Sequence, residues 1–333
     1  MNVFVLSILA FDLPTTLVPT NFWLLRKPGV VSTDEDQLVG NYVASLRAGD
    51  ANAAKHDLAR LSQRPIAVEF EDASARTNLP VTLPDGTTAE ELTYSGPRTL
   101  LLPGELLSQI EELSYGDGGL GARVWDAAIG LGIWLCSDNV TVRDERVLEL
   151  GSGVGLGGIS AALAGASAVM LTEVAAEEAD DDDATEKAEL GGNVLLDTLT
   201  SNAALNRVDE TTTVRSLDWC ECMEEKYEPH ATYKVVLGAD LVHDEKYSLP
   251  ALCAAVVKHT APDGAAYLMC AKGRPGVAAL PDTLLRCADA ERNGASGSGE
   301  VELTTVKMEE MCVMNSYGAA DMVLVTYCPA GVI

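Results

Sequence analysis

Val147-Leu148-Glu149-Leu150-Gly151-Ser152-Gly153-Val154-Gly155-Leu156-Gly157-Gly158 is an apolar run that carries one acid and breaks into glycines. It reads as a strand delivering a nucleotide-binding turn. Glycines let the backbone turn sharply and approach a ligand, and a helix from about Leu156 onward points its N-terminal amides at the site. Two cofactor classes use that geometry. Gly153, Gly155 and Gly158 make a strict Gly-x-Gly-x-x-Gly match, the dinucleotide pattern, which taken alone is weak evidence.

Glu149 tips the balance. It is a carboxylate inside an otherwise apolar strand, two residues before the first glycine, where a dinucleotide has no need of an acid and a cationic ligand does. S-adenosylmethionine carries an ammonium and a sulfonium, and a partly buried carboxylate near the strand end can hold its amino-acid part through backbone or water-bridged contacts. The pattern hydrophobic-Glu-hydrophobic-Gly-x-Gly-x-Gly resembles motif I of the seven-strand methyltransferases. The plain alternative is a buried strand and turn with no ligand, in which an unpaired strand acid would be costly. No Ser-Tyr-Lys or comparable hydride-transfer set accompanies the glycines.

Composition frames this reading. The 333 residues are long for one compact domain but fit an α/β domain of about 200 residues with an N-terminal appendage. Fifty acids against 23 Lys and Arg give a formal charge of −27, which argues against a nucleic-acid partner and makes a basic protein or peptide the easier substrate. Val3 to Phe11 is apolar but too short to span a membrane, and no Lys or Arg precedes Arg26, so it makes a poor targeting sequence and is expected to pack on the core. The eight cysteines, among them Cys136, Cys220, Cys222, Cys253 and Cys270, lie mostly in apolar runs without Cys-x-x-Cys spacing. Buried thiols in a reducing compartment follow, the cytoplasm or alternatively the nucleus, with no disulfide frame and no zinc site.

Along the chain, Leu38, Tyr42, Leu46, Leu58 and Leu61 mark one or two amphipathic helices between Asp34 and Arg64, with a break at Gly49-Asp50. Ile66 to Phe70 alternates and Val81-Thr82-Leu83 leads into Pro84-Asp85-Gly86, so short strands around a turn are expected. After Gly121 strand and helix alternate as in a doubly wound sheet. Ala127 to Cys136 and Asn193 to Asn206 are expected helices. Strands are expected at Arg146 to Gly151, Ala168 to Glu173, Thr213 to Asp218, Lys234 to Asp240 and Ala265 to Ala271, with Val301 to Met308 and Asp321 to Cys328 as a closing antiparallel hairpin. The expected fold is thus a Rossmann-like α/β sheet of seven strands. The chain divides into an N-terminal helical extension (1–64), a β-hairpin region (65–120) and the catalytic domain (121–333).

The strand ends carry residues suited to such a cofactor. Glu173 lies 22 residues past Gly151, where an acid accepts ribose hydroxyls in nucleotide-binding α/β folds; otherwise it is an exposed loop acid. Asp218-Trp219 ends the third strand, and the indole can cover an adenine face or serve as rim packing. Gly238-Ala239-Asp240 ends the fourth, where a small residue leaves room for adenine and an acid faces the substrate.

Four blocks in order then give a more specific resemblance: Gly121-Ala122-Arg123-Val124-Trp125-Asp126-Ala127-Ala128, the turn from Glu149 to Gly158, Leu217-Asp218-Trp219, and Gly238-Ala239-Asp240-Leu241-Val242-His243. Together they resemble the family-16 methyltransferases, seven-strand enzymes that mostly methylate lysines of proteins such as chaperones and translation elongation factors. The resemblance covers roughly Gly121 to Cys328. It implies that Trp125, Glu149, Gly151, Ser152, Gly153, Glu173, Asp218, Trp219 and Ala239 contact S-adenosylmethionine, that Asp240 sits at the substrate mouth and that the methyl acceptor is a lysine of a cytosolic protein. The family motif there is Asp-x-x-Tyr or Asp-x-x-Phe, whereas this chain has His243, which either flanks an acceptor channel as an aromatic ring or signals a different acceptor. Histidine, an N-terminus or a small amine is the alternative substrate, and a catalytically silent binding module is the reading from another class. Lys272-Gly273-Arg274 fits a family-like basic position with an open role. The acidic run Glu177 to Glu189 and the Gly/Ser stretch Asn293 to Gly299 read as surface loops.

Overall fold

A computed structural model describes residues 17–29, 33–61, 66–72, 76–82, 88–94, 96–114, 117, 119–137, 142–174, 194–243, 245–246, 248–294, 304–315 and 318–329. In chain order the elements are β1 (Leu17–Arg26), α1 (Thr33–Arg47), α2 (Ala51–Leu61), β2 (Ile66–Asp72), β3 (Arg76–Thr82), β4 (Thr88–Tyr94), β5 (Arg98–Leu102) and β6 (Leu106–Ile110). Then follow α3 (Asp126–Cys136), β7 (Arg146–Glu149), α4 (Leu156–Leu163), β8 (Ala168–Glu173), α5 (Val194–Leu205), β9 (Thr212–Ser216) and β10 (Tyr233–Ala239). The chain closes with α6 (Ser248–His259), β11 (Thr260–Ala271), α7 (Leu280–Gly294), β12 (Thr305–Asn315) and β13 (Gly318–Cys328).

Strands β9, β8, β7, β10 and β11 lie parallel in that order, and β13 and β12 continue the sheet antiparallel. This is the expected Rossmann-like sheet with its closing hairpin. Near-continuous apolar strands such as Val147-Leu148 and Val235 to Leu237 are buried on both faces, as parallel strands between helices must be. Two cores result. One holds α3, α4 and α5 on one face; the other holds α6 and α7 on the opposite face.

The sheet is larger than the sequence reading. Among the described residues it has eleven strands, because β1, β2, β5 and β6 extend it antiparallel beyond β12. The physical reason lies at β12, whose outer edge would otherwise expose unpaired backbone groups. Residues Trp23 to Arg26 pair with Asn315 to Cys312 and close it. That pairing also carries β12 to Asn315, beyond the expected end at Met308, while 301–303 lie outside the described residues. No strand is expected before Ile66, yet β1 is one, with a register irregularity between Pro19 and Asn21, where proline has no N–H to give the ladder.

Helices α1 and α2 flank the break at Gly49-Asp50 as read, and their Leu38, Val39, Tyr42 and Ala54 form a small core with Leu24, Ile66, Val68 and Phe70. Strands β3 and β4 form a separate two-stranded sheet. The turn at Pro84 to Gly86, the segment Val3 to Phe11, the acidic run Glu177 to Glu189 and residues 295–299 of the Gly/Ser stretch lie outside the described residues, while Asn293 and Gly294 end α7 instead of beginning a loop. All eight cysteines are free thiols. No helix among the described residues is long and apolar enough to cross a membrane.

Candidate active site

The glycine turn follows β7 at the carboxyl edge of the sheet. Gly151 and Gly153 take left-handed backbone with φ of 55° and 53°, and Gly155, at 97°, caps α4. At Gly153 a side chain has no room: a Cβ there would stand 2.9 Å from the Gly121 carbonyl oxygen. The segment before α3 therefore lies directly on the turn, and the two form one wall of a cavity. Gly155 points elsewhere, since a Cβ on it would meet Leu199 of α5 at 2.5 Å. The ligand-facing glycines are thus Gly151 and Gly153, and the Gly-x-Gly-x-x-Gly spacing does not describe the ligand face.

Glu149 is 2% exposed. Its Oε2 accepts the Gly158 N–H at 2.9 Å, and its Oε1 fills the space where Gly157 would carry a Cβ. The carboxylate borders the cavity floor but is turned under the first turn of α4. The sequence expectation is that it holds a ligand through backbone or water-bridged contacts, and it does line the cavity. Here it fixes the turn that a ligand would meet, because the amides at a helix start are the nearest unsatisfied donors. Burial pushes its pKa up to about 7, against the Gly158 N–H and the Ser152 hydroxyl, which favour the charged form, and with the Glu173 charge adding to the rise. Ser152 lines the cavity and ties the turn to β8, its N–H donating to the Thr172 carbonyl at 2.8 Å and its Oγ accepting the Thr172 N–H at 3.1 Å.

Glu173 ends β8 beside the turn, with Oε2 accepting the Gly153 N–H at 2.8 Å and Oε1 the Val174 N–H at 2.9 Å. Burial raises its pKa, and these two N–H donors oppose the rise. Trp125 stands at the start of α3, its indole N–H donating to the Leu120 carbonyl at 2.9 Å, and Trp219 reaches the cavity against Gly151. Asp218 lies two residues beyond the end of β9 and outside the cavity lining, and its Oδ1 accepts the Cys220 N–H at 2.8 Å, closing the turn that presents Trp219.

Opposite the glycine turn, β10 delivers Ala239 and Asp240. Asp240 is 6% exposed and sits in left-handed backbone at φ 56°, a conformation costly for a non-glycine residue. Its N–H donates to the Met269 carbonyl at 2.8 Å, and its Oδ1 accepts the Ala271 N–H at 3.3 Å and the Arg274 Nε–H at 3.2 Å. Arg274 Nη2 donates to Oδ2, completing a bidentate pair. His243 lines the same cavity from an exposed position.

One cavity therefore gathers Trp125, Glu149, Gly151, Ser152, Gly153, Glu173, Trp219, Ala239, Asp240 and His243, with Asp218 behind it. Sequence reasoning missed Leu120, Arg123 and Leu241 as lining residues, and gave no role to Arg274. Their signals were weak because an apolar or basic residue in a loop has many ordinary uses. The donor set fits S-adenosylmethionine. Amides of the Gly151–Gly153 turn suit its carboxylate, Glu173 retains lone pairs for ribose hydroxyls after taking two N–H groups, and Trp219 offers a face for adenine.

A family model described as lysine methyltransferase matches residues 107–279. The chain is 35% identical over 128 residues to protein N-lysine methyltransferase METTL21A of Xenopus tropicalis, covering 38% of this chain and 50% of that protein. It is 31% identical over 202 residues to EEF1A lysine methyltransferase 3 of Mus musculus, covering 59% and 76% respectively. It is 29% identical over 155 residues to protein-lysine N-methyltransferase EFM3 of Chaetomium thermophilum, covering 44% and 41%. The match thus spans half the length of the first of these relatives. Since the family model takes in just over half of the chain, from β6 to the residues before α7, and contains every residue of the cavity, the chain belongs to the lysine methyltransferase family.

Proposed function

We propose that the protein is an S-adenosylmethionine-dependent N-methyltransferase that acts on a lysine of another protein. The observation that carries this reading is Asp240, a buried carboxylate in strained backbone facing the glycine turn across one cavity. Held in place by Arg274, it offers a fixed hydrogen-bond acceptor to the nitrogen of a lysine brought to the cavity. When bound, the cofactor supplies a methyl group on a sulfonium; the N–C bond forms as the S–C pair returns to sulfur.

The chain's residues then have separable tasks. Lysine has an ordinary pKa near 10.4, so at pH 7 its amine must lose a proton to water before it can attack, at a cost of about 5 kcal/mol. The cavity walls hold the acceptor in line, and orientation of this kind contributes ~7 kcal/mol or more in well-ordered sites. Asp240, already paired with Arg274, orients the acceptor nitrogen by accepting its hydrogen bond and is not the base. The EEF1A lysine methyltransferase 3 relative supports a protein of the EEF1A kind as the acceptor, and the charge of −27 supports a basic surface on it.

The test is transfer of radiolabelled methyl from S-adenosylmethionine into cell lysate, with Gly153→Arg as control and mass spectrometry of the product. A labelled protein band mapping to lysine supports the reading. Label on histidine, an N-terminus or only small molecules replaces the acceptor, and cofactor binding without any transfer points to a silent module.

A further inference from the structure

Arg274 lies between two residues of the cavity without belonging to its lining. Its guanidinium donates from Nε and Nη2 to the two oxygens of Asp240, and its Cζ lies 5.4 Å from the centre of the Trp125 ring. A planar guanidinium can satisfy both oxygens of a carboxylate and stack on an indole at once, which a lysine ammonium cannot. The carboxylate at the acceptor end of the cavity is therefore already matched by a positive charge, and that charge is held from the cofactor side by Trp125.

This matters for the protonation state of an amine brought to Asp240. A bare buried carboxylate stabilises an ammonium and raises its pKa, which opposes the proton loss that methyl transfer needs. A carboxylate paired with a fixed guanidinium has no net charge to offer. Resting on the functional reading above, we propose that Arg274 is a positioning residue that neutralises Asp240, so that the acceptor nitrogen is held by hydrogen bonding and loses its proton near neutral pH. The ammonium proton passes to water, and the nitrogen lone pair is then free to form the new N–C bond.

Other charged or titratable groups line the same cavity or lie on the adjoining segments. Arg123, Glu149, Glu173 and His243 line the cavity, and Glu245 follows β10 against Gly276. The Cys270 thiol on β11 is pushed up to about 12 by burial and then by Asp240, so it stays neutral. Lys272 is paired with Glu310. All of them are retained in the variants below, so a change in pH profile reports on Arg274.

The experiment measures kcat at saturating acceptor against pH for wild type, Arg274→Gln and Arg274→Lys, using the acceptor protein labelled in the transfer assay. Binding of S-adenosylhomocysteine by calorimetry and thermal melting serve as controls. For Arg274→Gln the acid limb is expected to move up by about one pH unit, giving roughly tenfold lower kcat at pH 7 with the gap closing towards pH 9.5. Arg274→Lys keeps the charge but neither the fork nor the stack, so its acid limb is expected to fall between those of wild type and Arg274→Gln, with S-adenosylhomocysteine affinity within about threefold. A loss of equal size at every pH would show that Arg274 only supports the structure and would overturn the proposal. A lower KM in Arg274→Gln would make Arg274 a plug that competes with the acceptor, and would overturn it as well. Absence of protein-lysine labelling by wild type removes the functional reading and this proposal together, whereas labelling with an unshifted profile removes this proposal alone.

Discussion

Glu149 is a carboxylate buried beneath the glycine turn, on the border of the cavity. An acid in an apolar strand had to be satisfied, and the partner is the Gly158 N–H, with the glycines of α4 making room for the carboxylate. Its pKa is raised from the ordinary carboxylate value to about 7, so the folded protein holds the proton more tightly than the unfolded chain. The stability this contributes is present below about pH 4.5 and is lost as pH rises through about 7. Glu149→Gln keeps an acceptor for Gly158 and has no charge to lose. Its melting temperature relative to wild type is therefore expected to rise between pH 5 and 8, and a pH-independent difference in a melting series would contradict this. At Gly153, both the left-handed φ and the Gly121 carbonyl oppose any side chain. Gly153→Arg is expected to lower S-adenosylhomocysteine affinity by roughly 100-fold or more, read by calorimetry. Asp240→Asn is expected to cut kcat/KM by roughly 100-fold while the same calorimetry shows affinity within about threefold. Loss of cofactor binding in that variant would move Asp240 to the cofactor side.

At the level of elements, the N-terminal strands reach the active site through side chains. The Trp23 indole on β1 donates to Asp126 Oδ1 at the start of α3 at 3.0 Å. Arg98 on β5 binds Glu69 at 2.7 Å and Glu112 at 3.1 Å, and Glu112 also accepts the Val124 N–H at 2.7 Å. These bonds hold the segment 123–126 that carries Trp125. Trp23→Phe removes one of them and is expected to cost about 1 kcal/mol, a fall in melting temperature of roughly 2–4 °C. Cofactor affinity should weaken with it, and an unchanged calorimetric titration would confine the bond to stability. On the other side, Asn202 of α5 donates to the Glu111 and Val154 carbonyls and accepts the Glu111 N–H, tying β6 to the glycine turn. Nothing in a helix-period pattern marks such an asparagine, because its partners lie 91 and 48 residues away.

For the whole molecule, the charge of −27 makes a salt dependence the natural prediction. If the acceptor protein presents a basic surface, kcat/KM is expected to fall roughly tenfold between 20 and 200 mM salt, and a flat response would point to an uncharged contact. The sequence by itself determined the alternating core, the helix after the glycine turn, the strand-end acids at Glu173 and Asp240 and the two N-terminal helices. These depend on local pattern: buried parallel strands read as apolar runs, turns demand glycine and amphipathic helices repeat at 3.6 residues. Only the tertiary structure decided that β1 closes the edge of β12, that Asp218 supports Trp219 from outside the cavity, that Glu149 faces a helix and that Arg274 pairs with Asp240. Each is a contact between segments distant in sequence or a choice among nearby hydrogen-bond donors, and such choices are fixed by packing and by the need to satisfy buried polar groups.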